Sequence, residues 1–412
     1  MTLVNQILIL GAGQSAVYAA SEIRKHDTDS IIKIFNEENY LPYERPPLSK
    51  DFLLNEKKED EFLFFSKDFY EEKRIELINS KIISADFKNK LVFTNDNLQF
   101  SYDKLLIATG STNRQLKFDE VTDSNILYLR DIKDAKKIKE KISKVNKVAI
   151  IGGGFIGLEI ASSLNQQNKS VNIIEISNQL MGRMIPSEIA NLVQAEHKKY
   201  GNKLFLNNKI KNIKKINDTY KITLDNNVSI DAEIIIAGVG SLPATEMFNN
   251  SDLKIENGIL TNEYCETSIK DIYAAGDVSN FYHPLYKKNI RLESYQHAQN
   301  QGISAGKNIV GIQSEYRSIP WMWSNQFNFN LQVTGICDDF EDIIVRGTSI
   351  VDGIIYFFLK KEKIYGACGL GLIGKIGKDI KITSKLIEMN ISIDKNILSN
   401  QEQNLKLLLK NK

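Results

Sequence analysis

Twice along this chain a short apolar run ends in a glycine turn, continues through a stretch rich in small residues, returns as a second apolar run and stops at an acid. The first unit extends from Ile7 to Glu37 and the second from Val148 to Glu175. Strand, glycine turn, helix and strand in that order predict parallel sheets covered by helices, an α/β arrangement. Two dinucleotide sites are therefore implied. The length, 412 residues, exceeds what one hydrophobic core usually serves and predicts two or three domains.

In the first unit Gly11, Gly13 and Ala16, with Ser15 among them, have the G-x-G-x-x-G/A spacing directly after a strand. The first glycine permits the tight turn and the second lets a pyrophosphate approach the backbone. The following helix N-terminus supplies the positive end. Glu37, about 20 residues beyond Ala16, is preferred as the carboxylate that accepts the hydrogen bonds of an adenosine ribose, with Glu38 as the alternative register. In the second unit Gly152, Gly153, Gly154, Phe155, Ile156 and Gly157 form the turn, and Glu175 completes it. A carboxylate at that point pairs with free ribose hydroxyls and repels a 2′-phosphate, which favours NADH over NADPH. Arg183 is the nearby cation that would accommodate a phosphate. Gly238, Val239 and Gly240, after the apolar run Ile234-Ile235-Ile236-Ala237, are counted with the nucleotide-contacting residues.

The 53 basic and 51 acidic residues nearly cancel, and no long Lys/Arg block appears, so neither nucleic acid nor a membrane surface has an electrostatic argument. No apolar stretch reaches the roughly 20 residues of a membrane helix, and the N-terminal apolar run reads as a buried first strand; a cytoplasmic protein is expected. Cys265, Cys337 and Cys368 lie far apart, which fits a reducing compartment and excludes the close pair of a dithiol enzyme or zinc site. His26, His197, His283 and His297 lack metal-ligand spacing, so no metal is expected. From Trp321 onward the glycine fingerprints disappear and strand-like runs such as 342–346 and 354–359 dominate, marking a C-terminal α+β domain. The expected division is 1–112 with 241–317, then 113–240, then 318–412. The final Asn-, Gln-, Lys- and Leu-rich residues suggest a terminal helix.

With these motifs in order, the chain resembles the FAD/NAD(P)-dependent pyridine nucleotide-disulfide oxidoreductases. That resemblance implies a glutathione-reductase-like pair of Rossmann-like domains, with FAD on the first fingerprint and NAD(P)H on the second. Leu105-Leu106-Ile107-Ala108-Thr109-Gly110 resembles the family's strand leading back to the flavin, and Ile272-Tyr273-Ala274-Ala275-Gly276-Asp277 its second FAD motif, in which Asp277 would hold the ribitol chain. The segment Leu41 to Lys50, reading LPYERPPLSK, resembles the signature of ferredoxin reductases that serve aromatic-ring dioxygenases and haem monooxygenases of the P-450 type. Glu293-Ser294-Tyr295-Gln296-His297-Ala298 and Pro320-Trp321-Met322-Trp323-Ser324-Asn325-Gln326 resemble its later signatures. By this resemblance Arg45 and Lys50 lie against FAD, Ile83 and Arg130 near its adenosine and pyrophosphate, Tyr295 beside the ring and Trp321 at its exposed edge. Asn325 and Phe327 stand where relatives carry an acid and a tyrosine. Trp321 and Trp323 are read as facing opposite sides of a strand, one on the flavin and the other in a domain seam.

The chemistry expected is hydride transfer from nicotinamide to flavin, which needs orientation and electrostatic support rather than an acid or nucleophile. Lys50, in a segment judged too proline-rich to be helical, brings positive charge to the reduced ring, and the resemblance pairs it with Glu159, one turn into the second helix. Without a redox dithiol the electrons must leave to an external acceptor. The leading expectation is a 2Fe-2S ferredoxin, met through basic residues such as Lys287, Lys288 and Arg291 by a monomer or weak homodimer. The alternatives are rubredoxin, a quinone or monodehydroascorbate as acceptor, or an NADH-responsive interaction protein resembling apoptosis-inducing-factor-type proteins.

Overall fold

Both glycine turns lie at the C-terminal end of a buried parallel strand. A computed structural model describes residues 5–119, 121, 125–182 and 185–409, and the chain forms two compact units. The first comprises residues 1–45, 58–112 and 241–318. Its centre is a five-stranded parallel sheet in the order Ile272–Ala274, Lys104–Ile107, Gln6–Leu10, Ile31–Phe35 and Ile75–Ile78. Ile7 and Ile9 pack into one core while Leu8 and Leu10 pack into another on the opposite face. A strand covered on both faces keeps no polar side, which is why this run is apolar throughout rather than alternating.

The helices Gln14–His26 and Tyr295–Ile309 share the core of the first face. They meet almost backbone to backbone. A Cβ on Gly302 would stand 2.3 Å from the carbonyl oxygen of Ser15, and one on Gly306 2.7 Å from that of Ala19. Four-residue spacing brings both glycines to one face of their helix.

The second unit comprises residues 46–57, 113–240 and 319–412. Its five-stranded parallel sheet runs in the order Lys203–Phe205, Ser170–Ile174, Lys147–Ile151, Ile234–Ala237 and Ile126–Tyr128. An antiparallel meander, Ile210–Ile216, Thr219–Leu224 and Ser229–Ala232, shares a core with that sheet. C-terminal to these lies a five-stranded antiparallel sheet in the order Trp321–Gln326, Phe329–Gly335, Lys363–Leu372, Ile354–Lys360 and Asp342–Arg346. Helix Gly377–Met389 packs on it.

One local expectation is corrected. The proline-rich segment is helical for one turn, since Pro46–Ser49 forms a 3-10 helix. Proline is tolerated at the start of a helix, where its missing N–H would have had no partner. At the C-terminus the described residues end in a short 3-10 helix, Leu405–Leu409, with Leu405 and Leu408 buried. Among the described residues no helix is long and apolar enough to cross a membrane.

The helix seam yields a stability prediction. Gly302→Ala forces a methyl group against the Ser15 backbone and should destabilise the fold by about 1–3 kcal/mol, the usual cost of overpacking. Urea unfolding of the variant measures it, and an unchanged midpoint would mean that the seam is slack.

Candidate functional site

The first cradle begins at Gly11, whose φ is +103° and whose N–H donates to Phe35 O at 3.1 Å. A Cβ there would stand 2.4 Å from Ala108 O, so only glycine lets this turn lie against the strand Lys104–Ile107 and its following residue. Gly13 then caps the helix Gln14–His26 without any side-chain hydrogen bond, and among the described residues nothing lies within 4 Å of where its Cβ would be. An uncapped helix start facing open space is the arrangement that receives a pyrophosphate. Ala16 is in the core and Ser15 donates to Ala275 O at 3.3 Å. Gly276, with φ +82°, passes so close to Ser15 that a Cβ would stand 2.6 Å from its hydroxyl oxygen. The following residue, Asp277, accepts from Ser111 Oγ at 3.1 Å, while Thr109 Oγ1 donates to Ala244 O at 2.8 Å beside Gly110, whose φ is +72°.

Other predicted residues of this unit have partners of their own. Glu38 accepts from Tyr43 and, at 2.5 Å, from Arg45, whereas Glu37 is 58% exposed and pairs with Lys81 at 3.2 Å. Strand register puts Asn36 immediately after Phe35, the place that Glu175 takes after Ile174 in the second unit. Tyr295 donates to Glu44 at 2.7 Å; burial raises its phenol pKa, and the carboxylate raises it further. Ser294 caps the helix Tyr295–Ile309, Glu293 binds Ser241 and Arg291, and Ile83 is exposed. Lys287 and Lys288 are exposed, but Arg291 is spent on Glu293, on Asn257 at 3.2 Å and on Asp277 O at 3.4 Å.

The second cradle repeats the geometry. Gly152 has φ +102° and its Cβ would meet Gly238 O at 2.3 Å; a Cβ on Gly157 would meet Gly152 O at 2.3 Å. Gly154 starts the helix Phe155–Gln166 with no side-chain cap, and among the described residues the only atom within 4 Å of its Cβ position is Gly238 O at 3.9 Å. Glu175 is held rigidly, Oε2 by Gly153 N–H at 2.6 Å and Oε1 by Ser177 N–H at 2.8 Å. Each oxygen keeps a second lone pair for a ribose hydroxyl. Ile156 is 45% exposed in the first helical turn beside Phe155, and Gly240, at φ +97° after Val239, has open space at its Cβ position. Arg130 N–H donates to Asp134 at 2.9 Å. Arg183 lies outside the described residues.

Within the same unit Lys50 Nζ meets Glu159 Oε2 at 2.7 Å, their side chains 16% and 5% exposed. Ser49 donates to the same oxygen at 2.5 Å, and Ser324 donates to Oε1 at 2.8 Å. Sequence reasoning missed both serines, because only packing of the Pro46–Ser49 turn and the strand Trp321–Gln326 on the helix Phe155–Gln166 brings them there. Trp321 and Trp323 require a correction. Their rings stack at 5.0 Å between centroids and 20° between planes, because residues two apart on a strand share a face. Trp321 Nε1 also donates to Gln332 at 3.3 Å. Phe327 stacks on Tyr200 at 3.9 Å.

The comparisons with known proteins agree with this architecture. The family model described as "Pyridine nucleotide-disulphide oxidoreductase" matches residues 5–302, and one described as "Reductase C-terminal" matches 321–409. The chain belongs to the pyridine nucleotide-disulphide oxidoreductase family. It is 30% identical to the ferredoxin–NAD(+) reductase component of the anthranilate 1,2-dioxygenase system of Burkholderia cepacia, over 98% of each chain. It is 31% identical to the rubredoxin–NAD(+) reductase of Pseudomonas putida, over 91% of this chain and 99% of that one. The crystal structure of a ferredoxin reductase from Rhodopseudomonas palustris superposes with a TM-score of 0.93 at 26% identity, covering 98% and 99% of the two chains. The chain is an oxidoreductase enzyme that uses FAD and NADH.

Replacing Glu175 with Ala should raise the KM for NADH about tenfold, the scale of one lost charge-assisted hydrogen bond, while leaving the rate at saturating NADH nearly unchanged. An unaltered KM in steady-state kinetics would remove Glu175 from the ribose.

Proposed function

We propose that this chain is an NADH:ferredoxin reductase, which takes a hydride from NADH and passes electrons singly to a 2Fe-2S ferredoxin serving an oxygenase. The carrying observation is that the chain joins two glycine-turn cradles to three cysteines that form no disulfide and whose thiols burial raises above their ordinary range. Cys265 and Cys368 are buried, and burial pushes Cys265 and Cys337 up to about 12, so no thiolate is poised to relay electrons. An external acceptor then has to take them. The relative from Burkholderia cepacia, named for that activity, supports this reading.

Bound FAD supplies the exchange between a two-electron hydride and a one-electron acceptor. In this reading Gly11, Gly13 and the start of the first helix hold its pyrophosphate, with Asp277, Arg45 and Tyr295 as further contacts. Gly152, Gly154 and Glu175 hold NADH. Lys50 offers positive charge where the reduced ring gains negative charge, and Glu159 fixes the position of its ammonium group. In the same reading the FAD domain is 1–112 with 241–317, the NAD domain 113–240 and the C-terminal domain 318–412, in a monomer or weak homodimer in the cytoplasm. The rubredoxin–NAD(+) reductase of Pseudomonas putida favours rubredoxin as the second reading.

Lys50→Ala should slow flavin reduction by NADH at least tenfold in stopped-flow, the cost of removing about 1.4 kcal/mol of electrostatic support. A wild-type rate would reject the role. Steady-state turnover with a 2Fe-2S ferredoxin should exceed that with rubredoxin, a quinone or oxygen; turnover no faster than reoxidation by oxygen would reject the ferredoxin.

A further inference from the structure

Glu159 ends a hydrogen-bonded chain that runs away from the second cradle and has no part in the chemistry above. Its Oε1 accepts from Ser324 at 2.8 Å, Ser324 Oγ lies 3.0 Å from Gln326 Nε2, Gln326 Oε1 lies 2.8 Å from His197 Nε2, and His197 Nδ1 lies 3.0 Å from Asn202 Nδ2. All five side chains belong to residues no more than 4% exposed.

The direction of every bond follows from the first. A carboxylate only accepts, so the Ser324 proton is committed to Glu159, and the serine must accept from Gln326. Gln326 therefore presents its NH2 group to the serine and its oxygen to His197. The imidazole must then donate from Nε2, and its bare Nδ1 accepts from Asn202. Burial holds His197 down at about 4, so at neutral pH the ring is uncharged and has one proton to place. On the other oxygen, Ser49 and Lys50 both donate to Oε2. The two oxygens thus have separate donor sets, and the Ser324 hydroxyl opposes rotation of the carboxylate away from Lys50.

We infer that Ser324 and Gln326 are positioning residues for the Lys50–Glu159 pair, and that the negative charge on Glu159 sets the tautomer of His197 through them. This rests on the reading of Lys50 as the cation that supports the reduced ring. The charge is what orients the chain. In Glu159→Gln the amide oxygen stays with Lys50, which can only donate, and the NH2 turns to Ser324. Ser324 then donates to Gln326, the amides of Gln326 and Asn202 turn over, and His197 carries its proton on Nδ1.

Nitrogen NMR of the 15N-histidine-labelled holoenzyme tests this, with His197 assigned by its loss in His197→Asn. Wild type should show the Nε2–H tautomer and the isosteric Glu159→Gln variant the Nδ1–H tautomer; the same tautomer in both overturns the coupling. Ser324→Ala should slow flavin reduction by NADH roughly ten- to a hundredfold, the scale of a small misplacement, without moving the KM for NADH, and Ser324→Thr should recover most of the rate. A wild-type rate in Ser324→Ala together with a slow Lys50→Ala overturns the positioning role alone. A normal rate in Lys50→Ala brings down the reading of the pair, which the NMR comparison does not use.

Discussion

Contact between a glycine Cα and the carbonyl of a neighbouring strand is the constraint on which this molecule depends. At Gly11 and Gly152 a Cβ would stand only 2.4 and 2.3 Å from a carbonyl oxygen, closer than carbon and oxygen can pack. The turns can therefore start their helices directly at the strand ends, with uncapped N–H groups facing open space. A capping side chain would satisfy those donors and occupy the space that a pyrophosphate needs. The fold thus leaves a local hydrogen-bonding deficit in each half, which an anion offsets.

The helix that starts at Gly154 also carries Glu159, so one element bears both the uncapped glycine turn and the carboxylate that holds Lys50. Burying that carboxylate is costly unless its oxygens are met by good donors. Here they receive an ammonium and two hydroxyls. One hydroxyl comes from Ser324, in the C-terminal sheet, so that sheet does more than cover the nucleotide-binding core of its unit. It fixes an ionic group on which the proposed chemistry relies.

Some signals were legible residue by residue and others were misread. The paired fingerprints, the buried apolar strands and the change of composition at Trp321 follow from periodicity and glycine spacing, which are local properties. The two tryptophans were assigned to opposite faces although a two-residue period puts them on one, where they stack. Arg291, named with Lys287 and Lys288 as a residue that would meet a ferredoxin, is also engaged by Glu293 two residues on and by Asn257 from a distant turn, which no local pattern reveals. In the first unit the choice between Glu37 and Glu38 is complicated by Asn36, which takes the register position that Glu175 takes in the second. Spacing counted along the chain cannot resolve a shift of one residue at a strand end.

The sequence alone carries two glycine-turn fingerprints, an acid directly after the second strand of the second unit, and three cysteines far apart along the chain. Those features depend on residues within one supersecondary unit, or on composition. Tertiary structure alone decided which groups surround Glu159. Ser49 and Ser324 lie 110 and 165 residues from it along the chain. No periodicity spans such separations, since two hydroxyls reach one carboxylate only when three separate elements pack in a single register. The same holds for the line of donors from Asn202 through His197 and Gln326, whose direction is imposed by a charge that no local pattern reveals.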